Sequence, residues 1–204
     1  MLVIALALFA AQQVAPPSAD YVPDTGWRDN EWGQTFYERW FGNQLRAMRE
    51  PALASVTDLG GFRDRFRLLV LPTFEPAYAY RVDVREDGAA SLRWVRLNGR
   101  GGYAPGALAR QGTRQLRRDE VSQFGLALRS AEMGSLQRQE HEGISDNPDG
   151  SQSLTMCLDG TTYVFEHLSS QGRLFIVRSC GIDEEPLDRL AEVVFRLGSR
   201  RTMN

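Results

Sequence analysis

Residues 62–97, FRDRFRLLVLPTFEPAYAYRVDVREDGAASLRWVRL, decide the fold. From Phe62 to Leu71 the chain alternates: Phe66, Leu68 and Val70 fall on one side and Arg63, Arg65 and Arg67 on the other, as the twofold side-chain period of a strand requires. Tyr78, Tyr80, Val82 and Val84 repeat the pattern, and Ala90, Leu92 and Trp94 take it up again after Glu86-Asp87-Gly88. A two-residue loop at Asp87-Gly88 would set Val82 opposite Arg93 and mix the faces. A three-residue loop closed by residues 85 and 89 instead sets Tyr80 opposite Trp94 and Val82 opposite Leu92, with Gly88 in the left-handed region. The same register opposes Arg81 and Arg93. Arg63, Arg65, Arg67, Arg81, Arg85 and Arg93 are thus expected on one face of a sheet, with Asp83 as their only acidic neighbour there.

The C-terminal part gives a second set of strands. Leu154, Met156 and Leu158 alternate with polar residues, Asp159-Gly160 supplies a turn, and Tyr163, Phe165 and His167 follow. Closing that turn between 158 and 161 predicts a hairpin pairing Met156 with Tyr163 and Leu154 with Phe165. A turn at 169–172 returns the chain as Leu174-Phe175-Ile176-Val177, apolar on both faces. Three stretches read as helices: Thr35 to Arg49, ended by Pro51; Asp119 to Ala131, with Gly134 just beyond; and the last from Pro186, burying Leu187, Leu190, Val193, Val194 and Leu197. The expected fold is α+β, antiparallel hairpins backed by two or three helices in a single domain from residue 19. Residues 98–106 read as a glycine-rich connection and 138–153 as an exposed acidic loop.

Residues 1–18 are expected to be a signal peptide. Leu2 to Ala11 is an apolar run too short to span a bilayer, followed by Gln12-Gln13 and Pro16-Pro17-Ser18. Its n-region lacks basic residues, which implies a weak signal or a true start further upstream. No cysteine follows the run to carry a lipid anchor. Export to the periplasm or beyond would make Cys157 and Cys180 candidates for a disulfide. The predicted hairpin, however, places one strand between them, roughly two spacings of ~4.8 Å, while a disulfide needs Cα atoms within about 7 Å. Compartment and register therefore point opposite ways.

The constellations that could carry chemistry are sparse. Gly99-Arg100-Gly101-Gly102-Tyr103-Ala104 fits a loose dinucleotide pattern, but Pro105-Gly106 follows where a helix N-terminus should receive the pyrophosphate. Asp146-Asn147-Pro148-Asp149-Gly150 mimics part of a calcium loop, yet Ser145 and Met156 occupy positions that need carboxylates. His141 and His167 are the natural general-base candidates, each flanked by acids, and Glu166 points to the opposite strand face from His167. No spacing suits a metal, and no cofactor is implied. The aromatic run holding Trp27, Trp32 and Trp40 reads either as a sugar or peptide platform or as a satellite core.

Charge is distributed unevenly. All 24 basic residues are arginine, set against 26 acids. Arg63 to Arg118 holds twelve arginines and five acids, whereas Asp119 to Glu192 holds fourteen acids and five arginines. Opposed arginines destabilise a sheet unless neutralised. The neutralising charge would come from the acidic C-terminal half or from an anionic partner: a protein, a lipid headgroup or an envelope polymer. Nucleic acid suits the pattern least, since the aromatics alternate away from the arginines.

From about residue 94 to 197, Gly102-Tyr103-Ala104-Pro105-Gly106, Arg117-Arg118, Asp159-Gly160-Thr161-Thr162-Tyr163-Val164-Phe165-Glu166 and Leu190-Ala191-Glu192-Val193-Val194-Phe195-Arg196-Leu197 resemble uncharacterised exported proteins of proteobacteria. The resemblance implies a small α+β domain and assigns no functional residue. The expected function is a non-enzymatic exported domain presenting its arginine face to an anionic partner. The alternatives are a small hydrolase using His167 or His141, and a purely structural envelope module.

Overall fold

In β1 (Phe62–Pro72) the run Leu68-Leu69-Val70-Leu71 is apolar on both sides, and such a strand is stable only where both of its faces are covered. The computed structural model, which describes residues 21–23, 33–131, 143–146, 148–155, 159–182 and 185–199, puts β1 inside a six-stranded antiparallel sheet. The other strands are β2 (Tyr78–Arg85), β3 (Ala90–Leu97), β4 (Leu108–Gln115), β7 (Thr161–Ser169) and β8 (Gly172–Arg178), in the order β4-β3-β2-β1-β7-β8. A separate hairpin is formed by β5 (Gly143–Asp146) and β6 (Gln152–Thr155). The helices are α1 (Gly33–Ala47), α2 (Arg118–Ser130) and α3 (Glu185–Ser199). The α+β expectation holds. Among the described residues no helix is long and apolar enough to cross a membrane.

The sheet has a core on each face. Phe66, Leu68, Val70, Val82 and Leu92 pack with Phe124 and Ala127 of α2 and with Leu187, Leu190 and Val194 of α3. On the other face Leu69, Leu71, Ala79, Val95 and Val164 pack with Phe41 and Leu45 of α1 and with Met48 just after it. Each fully buried aliphatic or aromatic side chain stabilises by about 1.5–3 kcal/mol.

The β2–β3 turn forms as the alternation demands. Arg85 N donates to Ala89 O at 2.8 Å, Gly88 has φ +84°, and the pairs Tyr80–Trp94, Val82–Leu92 and Arg81–Arg93 are all in register. Three expectations are corrected, and one strand has no counterpart in the sequence reading. Leu154 does not pair with Phe165 as the expected 154–158 to 161–167 hairpin requires: β6 pairs with β5, Leu154 opposite Ile144, while Phe165 lies opposite Leu68 of β1 and Ile176 of β8; Met156 and Leu158 lie outside the described residues. A nearest-neighbour reading favours the short turn, but β7 pairs with β1 along nine residues, from Asp64–Ser169 to Pro72–Thr161. Part of the expected loop 138–153 accordingly becomes β5 and the start of β6. Strand β4 was not expected, because five of its eight residues are exposed and only Leu108 is strongly apolar. Finally, an irregularity between Phe62 and Asp64 shifts the β1 register and takes Arg63 out of the alternation.

Two contacts fix β4. Its Gly112 lies opposite Trp94, where a Cβ would stand 2.6–2.7 Å from three indole atoms. Its Arg114 reaches Glu120 of α2 with Nη1 and Nη2, at 2.8 and 3.0 Å, and donates to the Leu197 carbonyl of α3 at 2.9 Å. Glu120 also accepts the Arg117 backbone N–H at 2.9 Å, satisfying a donor at the start of α2. The Arg114 hydrogen bonds lead the interactions that hold the Glu120 carboxyl below its ordinary value of 4.5.

Gly112→Ala is expected to cost about 1–3 kcal/mol by overpacking against the indole, read as a lowered urea midpoint. A free edge strand would instead tolerate or prefer alanine. Because the Glu120 pKa is depressed in the folded chain, its contribution is present above pH 4.5 and is lost as pH falls through the depressed value. Urea midpoints measured from pH 7 to pH 3 should therefore fall less steeply for Glu120→Gln than for the wild type.

Candidate functional site

The α1 face of the sheet carries the arginines. Register places Arg93, Arg81 and Arg67 side by side on three adjacent strands, with Glu166 of β7 next in the row and the Arg65–Asp83 pair one step along. The segment that follows α1 lies over this row. Glu50, 4% exposed, bridges two strands: Oε2 accepts from Arg81 Nη1 at 2.6 Å and Oε1 from Arg93 Nε at 2.8 Å. Asp83 likewise joins Arg65 and Arg81, at 2.9 and 2.8 Å. Arg67, 1% exposed, pairs with Glu166 and donates to the Pro51 carbonyl at 2.7 Å. Arg173 of β8 closes the far end on the carbonyls of Leu53 and Ala54. For Arg81, burial pulls the guanidinium pKa down, but the charges and hydrogen bonds of Glu50 and Asp83 outweigh it and leave the pKa above its ordinary value.

The arginines expected to meet an anionic partner are met here by groups of the chain itself. Arg65, Arg67, Arg81 and Arg93 do share a face, but the chain's own acids and carbonyls fill it. Two of those acids, Glu50 and Glu166, were missed because Glu50 follows a helix and Glu166 is distant in sequence. Arg63 is exposed and paired with the adjacent Asp64, while Arg85 is exposed, lies over the Phe62 ring and sits 3.9 Å from Asp87.

The other candidates are dispersed. His167 Nε2 lies 3.2 Å from Asp64 Oδ1 at the edge of the opposite face, and Glu166 is turned away from it. His141 lies outside the described residues. Cys180 is disulfide-bonded, and Cys157, the chain's other cysteine, lies outside the described residues. Trp27 and Trp32 also lie outside the described residues.

A cleft lies where the end of β1 meets the glycine-rich 99–106 loop. Its glycines answer to packing: a Cβ on Gly99 would collide with the Ala104 carbonyl, and one on Gly101 would stand 2.6 Å from Pro72 O. The loop is tied to α1 through Gly101 O, which accepts from Trp40 Nε1 at 2.7 Å and Gln44 Nε2 at 3.1 Å. The resulting cleft is about 300 Å³. Tyr37, Trp40 and Tyr103 supply aromatic surface, Thr73, Thr162 and Ser179 supply hydroxyls, and among the described residues no charged side chain lines it. Cys180, in the left-handed region at φ +67°, forms part of the wall. At the rim Phe74 and Tyr103, 60% and 61% exposed, lie with ring centroids 6.4 Å apart. In the sequence, the signal for this pair was two aromatics standing in proline- and glycine-rich turns where no core calls for them.

No protein-family model matches the chain, and no curated protein matches it.

Glu50→Gln should leave Arg81 and Arg93 opposed in a half-buried row and cost about 2–4 kcal/mol. Urea unfolding reads the loss. A cost below about 0.5 kcal/mol, the range of an ordinary surface substitution, would mean that Glu50 does not hold the row.

Proposed function

We propose that this chain is an exported, non-enzymatic binding domain, acting in the periplasm or after secretion, and that its recognition surface is the aromatic cleft rather than the arginine face. The observation that carries this reading is the Phe74–Tyr103 pair. Among the described residues only three large hydrophobic side chains are exposed, and two of them sit together at the mouth of the cleft. Exposed aromatic surface beside a concavity marks a contact site, because leaving it in water forgoes its burial energy. Export is supported by the apolar Leu2 to Ala11 run and by the disulfide at Cys180, which suits an oxidising compartment. Among the described residues no charged side chain lines the cleft, so it suits an uncharged stretch of envelope polymer rather than the anionic partner expected from the sequence. Anionic proteins and lipid headgroups would need the guanidinium groups that the fold has already engaged.

Retention of the purified protein on insoluble envelope polymer, itself freed of protein, tests this reading. The double variant Phe74→Ala/Tyr103→Ala should lose most retention, His167→Ala should keep it, and raising the salt should change it little. Retention that falls steeply with salt and ignores the aromatic pair would overturn the assignment.

A further inference from the structure

We infer that the occupant of the cleft is a neutral saccharide, a short run of sugar rings stacked on Tyr103 and Phe74 and hydrogen-bonded to the hydroxyls within. This rests on the cleft being the binding surface and goes on to name the ligand class. Three features of the wall select it. First, the lining has no acid and no arginine among the described residues, so an ionic ligand would lose its hydration with no opposite charge in return. Second, the loop has already engaged four of the backbone donors that an extended peptide could use. Gly99 N, Arg100 N, Gly101 N and Tyr103 N all donate to carbonyls of the protein, and Gly101 O already accepts twice. Peptide recognition by strand addition needs such groups unpaired. What remains is ring faces and hydroxyls. Aromatic faces suit the C–H side of a sugar ring, and the Thr162 and Ser179 hydroxyls suit its rim.

Third, the site is held in place before any ligand arrives. Gly101 is clamped between α1 and the end of β1, leaving no room for a side chain, and Thr73 Oγ1 donates to Gly160 O at 2.7 Å across the cleft wall. Sugars offer many weak contacts and little apolar area, so they bind usefully only where the protein pays no ordering entropy. The cleft volume stands at the lower end of the ~300–1,000 Å³ of small-molecule pockets. The exposed Phe74–Tyr103 pair continues the platform outward, which suits a polymer crossing the mouth better than a compact metabolite.

The test uses the full protein and its tryptophan emission, to which Trp40 in the cleft wall contributes. It is titrated with uncharged hexasaccharides of N-acetylglucosamine, β-linked glucose and α-linked glucose, and with uncharged hexapeptides, and each positive is repeated by calorimetry at low and high salt. At least one saccharide should bind saturably and with little salt dependence. Tyr103→Ala should weaken that binding about tenfold, the loss of one aromatic stack, and Arg85→Ala should leave it unchanged. Circular dichroism should show both variants folded, since neither side chain is buried. If an uncharged peptide binds in a Tyr103-dependent way and no saccharide does, the cleft assignment stands and the ligand class is wrong. If neither class binds, or binding ignores Tyr103 and Phe74, both are wrong.

Discussion

Three guanidinium groups abreast on neighbouring strands repel one another, and the architecture on the α1 side follows from the need to neutralise them. Arg67, Arg81 and Arg93 cannot be packed under a helix as charges alone, since desolvation costs several kcal/mol per unpaired ion. Glu50 answers two of them at once, and it can do so only if the chain leaving α1 turns down onto the sheet. Glu166 answers the third, and it can do so only if β7 takes the open edge of β1. The forked shape of arginine matters here. Arg81 divides its donors between Glu50 and Asp83, and Arg67 between Glu166 and the Pro51 carbonyl, a division that the point charge of lysine could not make from the same positions. The arginine face is therefore a polar interior, worth more for fixing register than for raw stability.

Much of this was legible where the information is local. The alternation of β1, β2 and β3, the three-residue loop ending in Gly88, the opposed Arg81–Arg93 pair and the three helices all follow from periodicity and turn chemistry. What local patterns cannot supply is the choice of partner at long range. Leu154 and Phe165 match as well across a short turn as Leu68 and Phe165 do across about a hundred residues, and local pattern does not separate the two. Strand β4 escaped notice because its signal lies in its neighbours: Gly112 is small because Trp94 is large, and Arg114 matters through Glu120 and Leu197. The candidate site was half visible. Trp40 reads from the sequence as either a platform or a core residue, and the structure packs its ring against Phe41 while its indole nitrogen donates to Gly101 O.

The 99–106 loop shows how a motif can be present for reasons unrelated to its usual chemistry. Its glycines occur at positions where the chain doubles back against Pro72 and Thr73, so their spacing reports steric contact rather than phosphate binding. The same compression that excludes side chains within the loop pushes the ring of Tyr103 outward to the rim. A packing requirement thus creates the exposed surface.

The pairing of Arg67 with Glu166 joins residues 99 positions apart. While the N-terminal meander assembles from neighbouring segments, Arg67 waits in a half-built apolar slot whose counter-ion lies far along the chain. Completing the sheet is thereby a late, high-contact-order event, and the protein is slow to close compared with a meander of the same size. The clasp cannot fasten until the chain through β7 is present, so a polypeptide ending short of Glu166 would hold Arg67 without its counter-ion.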